Sequence, residues 1–225
     1  MTVTLEELAR RLDRLESQLA IRDLQHAYGY YLDKTLYSEV VDLFCADCEI
    51  VFMGGTYRGR EGAERLYTRR FRETFTDGRN GPMPGFLLDH PQLQDVITLS
   101  EDGDSAKGRF RTLMQAGTHY TVKAAGEQRS RRDQWWEGGI YENEYVRENG
   151  VWKIRKLDYQ PVWHADYETG WARSEQHFVV DHETYPENKV GPDELVADPH
   201  RLWPGTAVVP FHYPHPVTGE EWTQQ

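Results

Sequence analysis

The sequence predicts an α+β protein in which helices come first and a sheet of antiparallel hairpins follows. The first indication is a helical repeat with alternating spacings of three and four residues, formed by Leu5, Leu8, Leu12, Leu15 and Leu19. The second is a change to long alternating segments after about residue 86. The third is the pair Asn149-Gly150, which is a strong signal for a tight β-hairpin.

The N-terminal part has the pattern of three helices and two short strands. Thr4 and Glu7 form a plausible capping box, so one long helix is predicted from residue 4 to about residue 34. We expect its leucine seam to pack on its own domain, with a subunit contact as the alternative. A short helix is predicted over 37–44, strands over 49–53 and 57–59, and a third helix over 60–76.

The second part has the pattern of four long strands, predicted over 86–99, 106–120, 134–147 and 151–163. From about residue 170 the character changes, because seven of the 11 prolines lie from Pro186 onward. This stretch is too rich in aromatic residues for a simple disordered tail. We therefore predict a domain over 1–169 and an irregular C-terminal arm over 170–225, which wraps its own domain or a neighbour.

Charge and composition exclude several classes of protein. The formal net charge of −11 disfavours nucleic acid as a partner. No apolar run approaches the ~18 residues of a membrane span, and Glu6 and Glu7 stand where a signal peptide would be basic and apolar. We therefore expect a cytoplasmic protein. Its 13 Tyr, 8 Phe and 7 Trp suit a thick core or a pocket for a flat, partly hydroxylated ligand.

Several short segments follow one another in a fixed order. Each is weak alone, and together they cover about residues 10–163: Ile21-Arg22-Asp23-Leu24, Tyr28-Gly29-Tyr30-Tyr31-Leu32-Asp33, Asp42-Leu43-Phe44, Tyr57-Arg58-Gly59, His90 before Val96-Ile97, and Asn149-Gly150-Val151-Trp152. In this order they resemble the SnoaL-like branch of the NTF2-like superfamily. The resemblance implies a cone in which a curved antiparallel sheet wraps around long helices and encloses a deep pocket.

The resemblance leaves the function open, because this fold serves many functions. Similar proteins include scytalone and bile-acid dehydratases, steroid isomerases, polyketide cyclases and formaldehyde lyases that act on lignin-derived diarylpropanes. The leading interpretation is a cofactor-independent lyase that eliminates formaldehyde, or water, from a hydroxylated aromatic molecule. One alternative is a dehydratase, isomerase or cyclase of a polyketide or steroid. Another is a non-catalytic small subunit of a ring-hydroxylating dioxygenase, or a binding module.

The resemblance also implies the catalytic groups. Asp33 and His90 match a pair in the dehydratase branch in which the aspartate orients the histidine as a base. Tyr28 matches a family tyrosine at the same spacing from the aspartate. Helical geometry instead favours Tyr30, which precedes Asp33 by about one turn. Both tyrosines remain candidates for a phenol that assists the substrate oxygen.

Six other residues are candidates for contact with the substrate: Arg111, Gln115, His119, Trp136, Tyr159 and Trp163. The alternation of the strand 106–120 does not tell which of its faces lines a pocket. There is an alternative for each of two groups: Arg111 is simply exposed to solvent, and the tryptophans and Tyr159 simply fill the core.

No metal or cofactor is predicted, since the sequence has no HExxH, paired CxxC, GxGxxG, P-loop or GxSxG motif. The expected partner is a small aromatic substrate. A homo-oligomer, either a dimer or a trimer, is also expected, because a single domain does not obviously cover the leucine seam and the arm.

Overall fold

The structure is a computed structural model that describes residues 3–124, 134–175, 181–196, 203–205 and 207–223. It confirms the α+β fold class: a long N-terminal helix lies against a curved open sheet. The elements, in chain order, are α1 Leu5–Asp33, α2 Tyr37–Val41, β1 Phe44–Phe52, β2 Gly55–Arg58, α3 Gly59–Glu64, the π-helical segment Arg65–Phe71, α4 Arg72–Thr76, β3 Phe86–Asp89, β4 Gln92–Leu99, β5 Ser105–Thr118, α5 Tyr120–Ala124, β6 Gln134–Glu148, β7 Val151–Asp166 and β8 Glu194–Leu195.

The sheet has the strand order β3-β5-β6-β7-β1-β2-β8, and β4 also pairs with β5. Neighbouring strands are antiparallel except for β1 and β7, which are parallel. The predicted hairpin joins β6 to β7 at Asn149 and Gly150, whose φ angles of 51° and 81° are those of a type I′ turn. Within the sheet, α1 packs against β4, β7 and β3.

One predicted strand, over 86–99, is two strands in the structure. Both β3 and β4 pair with β5, and the chain leaves the ladder at His90 and Pro91. Proline has no N–H to donate, so a ladder cannot run through it undisturbed. The break places His90 at the inner side of the sheet, where it is buried.

Two further boundaries differ from the predictions. The second helix ends at Val41, and β1 already starts at Phe44, which pairs with Ile154. The third helix forms in three successive pieces, α3, the π-helical segment and α4. Such wide turns are frequent at functional sites. Here the wide turn contains the buried Tyr67.

A buried polar network holds α1 inside the sheet. Thr4 caps the helix through the backbone N–H of Glu7, as predicted. Further along, the Gln25 amide nitrogen donates to Gln92, and its oxygen accepts from the Asn143 amide and the Tyr145 hydroxyl at 3.0 and 2.8 Å. A satisfied buried network of this kind fixes one arrangement of the elements it joins. The position of the helix on the sheet is thereby set.

The leucine seam does not pack on its own domain, contrary to the expectation from sequence. Leu5, Leu8, Leu12, Leu15 and Leu19 are 54–87% exposed. The buried face of α1 contains Ile21, nine residues beyond Leu12 and therefore about half a turn away from it around the helix axis. The helix thus has two apolar faces on opposite sides, and one of them is uncovered in a single chain.

The described parts of the C-terminal arm lie against the domain of the same chain. β8 adds to the edge of β2, and the Arg70 guanidinium contacts the Asp181 carboxylate at 2.7 Å. On the outer face of the sheet, Arg109 donates to the carbonyls of Val209 and Pro210. In the part of the chain that the structure describes, no helix is long and apolar enough to cross a membrane.

Candidate active site

The centre of the site is His90, whose main chain is held by the end of α1. The His90 backbone N–H donates to Oδ1 of Asp33 at 2.7 Å. Asp33 is the last residue of α1, and His90 lies where the β3–β4 ladder is broken. His90 is only 4% exposed, so its imidazole is enclosed by protein. The two residues that the family resemblance pairs are therefore neighbours in space.

Their contact differs from the predicted one. The expected hydrogen bond joins the carboxylate to the imidazole, but Asp33 contacts the main chain of His90 instead. Among the described residues, Nδ1 of His90 has no hydrogen-bond partner, while Nε2 lies 3.4 Å from the Tyr141 hydroxyl. Asp33 is therefore a positioning residue in this geometry, and one imidazole nitrogen is left for another partner.

Four buried phenols form a cluster, two of which contact the imidazole. The hydroxyls of Tyr28 and Tyr67 lie 3.0 Å apart, so one donates to the other. The Tyr141 ring lies 5.9 Å from that of Tyr28 and 4.8 Å from that of Tyr159, between centroids. The Tyr159 ring lies 6.0 Å from the imidazole. These four tyrosines, called here the tyrosine cluster, come from α1, the π-helical segment, β6 and β7.

Burial sets the charge of these groups. It lowers the pKa of His90 to about 4, so the imidazole is neutral at neutral pH. Burial also raises the pKa of Tyr28 to about 12, and it raises those of the other three phenols. The result is a neutral base beside neutral hydrogen-bond donors, which is the pairing that a proton abstraction requires.

The pKa of the Asp33 carboxyl is raised above its ordinary value. Desolvation raises its pKa to about 6, although the hydrogen bond from the His90 backbone favours the ionised form. Either protonation state leaves an oxygen that accepts this bond. Positioning of His90 by Asp33 therefore does not depend on the carboxylate charge.

The two candidate tyrosines lie in different surroundings. Tyr28 is on the buried face of α1 and belongs to the tyrosine cluster, whereas Tyr30 is 74% exposed. Two residues correspond to about 200° around a helix, so the two rings point to nearly opposite sides. Asp33 makes its contact with the His90 backbone from the last position of the helix, and Tyr30 takes no part in the tyrosine cluster.

Several of the predicted substrate contacts lie outside the site. Arg111 is exposed, and Gln115 donates to the Leu113 carbonyl on the same face of β5. The opposite face of β5 is the buried one, so Arg111 and Gln115 lie on the outer face of the sheet. The buried face carries Thr112, whose hydroxyl lacks a partner among the described residues.

The remaining predicted contacts divide in the same way. Tyr159 is part of the tyrosine cluster, the position that a residue in contact with the substrate would occupy. The exposed His119 bonds to the Thr121 hydroxyl at 2.8 Å, and half-buried Trp136 stacks on Tyr167. Trp163 packs edge-on against Trp171, beside the arm. Of the six contact candidates, the structure brings Tyr159 alone into the cluster around His90.

Three residues of the site were missed from the sequence: Tyr67, Tyr141 and Glu137. Tyr141 stands opposite Tyr159 in the β6–β7 register, and the Tyr159 hydroxyl donates to the Glu137 carboxylate. The signal for Glu137 and Tyr141 was their spacing with Gly139 at every second residue of one strand, which places them on one face, whereas Tyr67 lies on the π-helical segment. The sequence did not tell whether that face is the inner one.

One group of possible metal ligands occurs elsewhere in the described residues. The ligand atoms of Cys45, Asp47 and Glu148 lie within 4.8 Å of one another. Burial raises the pKa of the Cys45 thiol to about 12, so the thiol stays protonated, and the thiolate is the form that binds metals. None of the three belongs to the tyrosine cluster.

The fold and this site define an NTF2-like protein with a neutral histidine in a phenol-lined interior. The family described as the SnoaL-like domain matches residues 13–158, and the chain belongs to that family. Hexachlorocyclohexane dehydrochlorinase 1 of Sphingobium indicum is 29% identical over 153 residues, which cover 65% of this chain and 82% of that protein.

Solved structures share the fold. The crystal structure of LinA has a TM-score of 0.55 and 23% identity, and the match covers 76% of this chain and 99% of that one. A protein of Novosphingobium aromaticivorans proposed to be a scytalone dehydratase has a TM-score of 0.54 and 20% identity, with 76% and 97% covered. Both matches leave about a quarter of this chain uncovered.

The contact between Asp33 and the His90 backbone predicts a difference between two substitutions. Asp33→Asn keeps an oxygen that accepts from the amide, so kcat should stay within a few-fold of the wild type. Asp33→Ala removes the acceptor, and kcat should fall about 10²-fold because a base displaced by about 1 Å loses that much. Steady-state kinetics of the two variants measure the difference. Equal losses in both would show that the charge of the carboxylate, and not the backbone contact, is what matters.

Proposed function

We propose that the protein is a cofactor-independent acid–base lyase, which eliminates water or formaldehyde from a hydroxylated aromatic small molecule. The observation that carries the proposal is the neutral, buried imidazole of His90, which has one unpaired nitrogen among the described residues and lies beside Tyr141 and Tyr159 of the tyrosine cluster. A neutral imidazole accepts a proton, and phenols donate hydrogen bonds to oxygen atoms of the substrate. The dehydrochlorinase relative is also named for an elimination reaction, which supports the same class.

The composition of the site favours an aromatic, oxygenated substrate. The tyrosine cluster offers ring faces and edges for packing and hydroxyls for hydrogen bonds. Thr112 and His90 add polar atoms that lack partners among the described residues. Buried polar atoms are nearly always hydrogen-bonded in proteins, so a substrate with hydroxyl groups complements this interior.

Loss of formaldehyde is the finer form of the proposal. In a 1,2-diarylpropane-1,3-diol, His90 takes the proton of the terminal hydroxyl, and that oxygen forms the carbonyl of formaldehyde. The bond between the terminal carbon and the central carbon breaks, its electrons form the alkene, and the benzylic hydroxyl departs as water. The products are a stilbene, formaldehyde and water, which together account for every atom of the diol. A buried site protects the reacting groups from solvent.

The same groups would serve simple loss of water from a polyketide or steroid alcohol, or an isomerisation. A chloride leaving group, as in the name of the dehydrochlorinase relative, is the second candidate because of that relative. Phenols favour oxygen over chloride, since an alkoxide or hydroxide gains more from a hydrogen bond than chloride does.

The proposal predicts products that can be measured directly. Purified protein incubated with a 1,2-diarylpropane-1,3-diol should release formaldehyde and develop stilbene absorbance, and dialysis against EDTA should leave the rate unchanged. His90→Ala should lower turnover by roughly 10²–10⁴, the usual worth of a positioned base. The matched control is His182→Ala, at an exposed histidine of the arm.

Three outcomes would contradict this account. Full activity of the His90→Ala variant, with an unchanged circular dichroism spectrum, would remove the base. Loss of activity on EDTA treatment and its recovery with one divalent metal would replace the acid–base mechanism. Absence of turnover with diols, chlorides and alcohols of all three classes would favour a binding module or a dioxygenase small subunit.

The uncovered leucine face of α1 supports a homodimer. The leucines occupy a and d positions of two heptads, and the domain lies on the opposite side of the helix. Two copies can therefore pair in parallel along this face without a clash between their domains. In that pairing Arg11, at a g position, meets Glu16 of the second copy at an e position, so the charges are complementary on both flanks.

Light scattering at micromolar concentration tests this assembly. The wild type should have the mass of a dimer, and Leu12→Glu should have that of a monomer because a carboxylate cannot be buried in the seam without a partner. Ala20→Glu adds the same charge at an exposed position outside the seam and should remain a dimer. A monomeric wild type, or a dimeric Leu12→Glu variant, would show that the seam is not the interface.

A further inference from the structure

We propose that Glu137 and Tyr159 are the acid side of the site: Glu137 passes a proton through the Tyr159 hydroxyl to the departing oxygen of the substrate. The inference rests on the proposed function, because it assigns the proton that the leaving hydroxyl needs. It goes further by giving the elimination a second proton-transfer group, and by requiring that the leaving group is an oxygen.

The pair is fully enclosed. Glu137 is 4% exposed and Tyr159 is 3% exposed, and the Tyr159 hydroxyl donates to Oε1 of Glu137. Within the described ranges no lysine or arginine forms an ion pair with Glu137. A buried carboxylate without a cation is costly, so desolvation raises the pKa of Glu137 to about 7. At neutral pH a substantial share of this carboxyl holds its proton.

The backbone of β6 fixes where the phenol lies. A Cβ atom at Gly139 would lie 2.5 Å from Cε2 and 2.6 Å from the hydroxyl of Tyr159, which is closer than real contacts allow. The Tyr159 ring therefore lies directly against a strand that carries no side chain at this position. Phe52 stacks on the ring at 6.2 Å between centroids. A donor held on both sides in this way needs little reorganisation during a reaction.

The acid pair and the base are within reach of one small substrate. The Tyr159 and His90 rings lie 6.0 Å apart between centroids, and Tyr141 bridges them: its ring lies 4.8 Å from that of Tyr159, and its hydroxyl 3.4 Å from Nε2 of His90. The proposed elimination takes a proton from one hydroxyl of the substrate and expels another hydroxyl of the same molecule. A base and an acid that lie this close to each other suit these two steps.

One proton moves from the substrate to His90, and another moves from Glu137 through Tyr159 to the departing oxygen. His90 takes the proton of the terminal hydroxyl, whose oxygen becomes the carbonyl oxygen of formaldehyde. The bond between the terminal and central carbons breaks, its electrons form the alkene, and the bond between the benzylic carbon and its oxygen breaks.

When Glu137 is protonated, its carboxyl donates to the Tyr159 oxygen, the reverse of the bond that an ionised Glu137 accepts, and the Tyr159 hydroxyl proton is then free to point at the substrate. The departing oxygen takes that hydroxyl proton, the Tyr159 oxygen receives the proton of Glu137, and water leaves. The site then holds an imidazolium and a carboxylate. After product release, the proton returns from His90 to Glu137 through solvent, which restores the starting state without another reactant.

This arrangement has a characteristic pH dependence. Activity requires neutral His90 and protonated Glu137, so kcat should be highest between pH about 4 and about 7. Above that range kcat should fall as Glu137 ionises. The side chains opposite Glu137 in the sheet are Met114 on β5 and His164 on β7, and Tyr159 is the group that contacts it.

The test compares kcat across pH for the wild type, Glu137→Gln and Tyr159→Phe, with a 1,2-diarylpropane-1,3-diol as substrate. Both variants should lose about 10²-fold or more in kcat, and Glu137→Gln should lose the decline above neutral pH. Tyr159→Phe keeps the packing of the ring, so this variant tests the acid pair if Glu137→Gln does not fold. The matched control is Glu144→Gln on the outer face of the same strand, where Glu144 lies 4.0 Å from Lys107, and it should behave as the wild type.

Different results would overturn the acid pair and the proposed function. A Glu137→Gln variant with the kcat and pH profile of the wild type, alongside an inactive His90→Ala variant, would overturn the acid pair and leave the proposed function standing. An active His90→Ala variant would overturn the proposed function. Carbon-13 NMR of labelled glutamate tests the pair without substrate: one carboxyl should titrate near pH 7 and be absent in Glu137→Gln. If the resonance lost in that variant titrates between pH 4 and 5 in the wild type, the inference is wrong.

Discussion

The enclosure of the His90 imidazole without a charged partner is the constraint on which the site depends. Burial makes the protonated imidazole unfavourable, so neutrality is imposed by the surroundings rather than by a neighbouring charge. The neighbours are consistent with this, because the tyrosine cluster is neutral and the Asp33 carboxylate contacts the main chain. The chemistry that we propose, with a neutral base beside phenolic donors, follows from that environment.

Two local features bring His90 to this position. Pro91 interrupts the pairing of β3 and β4 with β5, and the freed segment turns His90 inward. Asp33 then fixes the His90 amide, and Asp33 is itself placed by α1. The helix in turn is held by the Gln25 network, whose partners lie on β4 and β6. An error in the position of the helix would therefore be transmitted to the base.

Patterns of local origin were predicted well from the sequence. The cap at Thr4 and the hairpin at Asn149-Gly150 depend on neighbouring residues, and the structure contains both of them. The predicted long strands are also present, except that the one over 86–99 divides into β3 and β4. The family resemblance also brought Asp33 and His90 together correctly. The resemblance did not predict that Asp33 contacts the backbone N–H of His90 and not its imidazole, because every residue except proline has a backbone N–H and a motif does not distinguish one from another.

The errors arose where tertiary structure decides. Strand alternation shows that Arg111 and Thr112 face opposite sides, but the inner side is set by what the sheet wraps around. For the same reason Glu137 was overlooked, because a buried carboxylate reads as an ordinary polar residue of a strand. The leucine seam was assigned to the domain core because apolar residues are usually covered within one chain, and in this helix a second face already fills that role.

The central claim is that His90 is a neutral base at neutral pH, and nitrogen-15 NMR of the histidine side chains tests it most directly. Assigned by comparison with the His90→Ala variant, the His90 ring nitrogens should show a neutral imidazole down to pH about 4, well below the ordinary histidine value of about 6.5. A His90 imidazole that titrates at about 6.5 or above would mean that the site stabilises the charged form. That result would contradict the account.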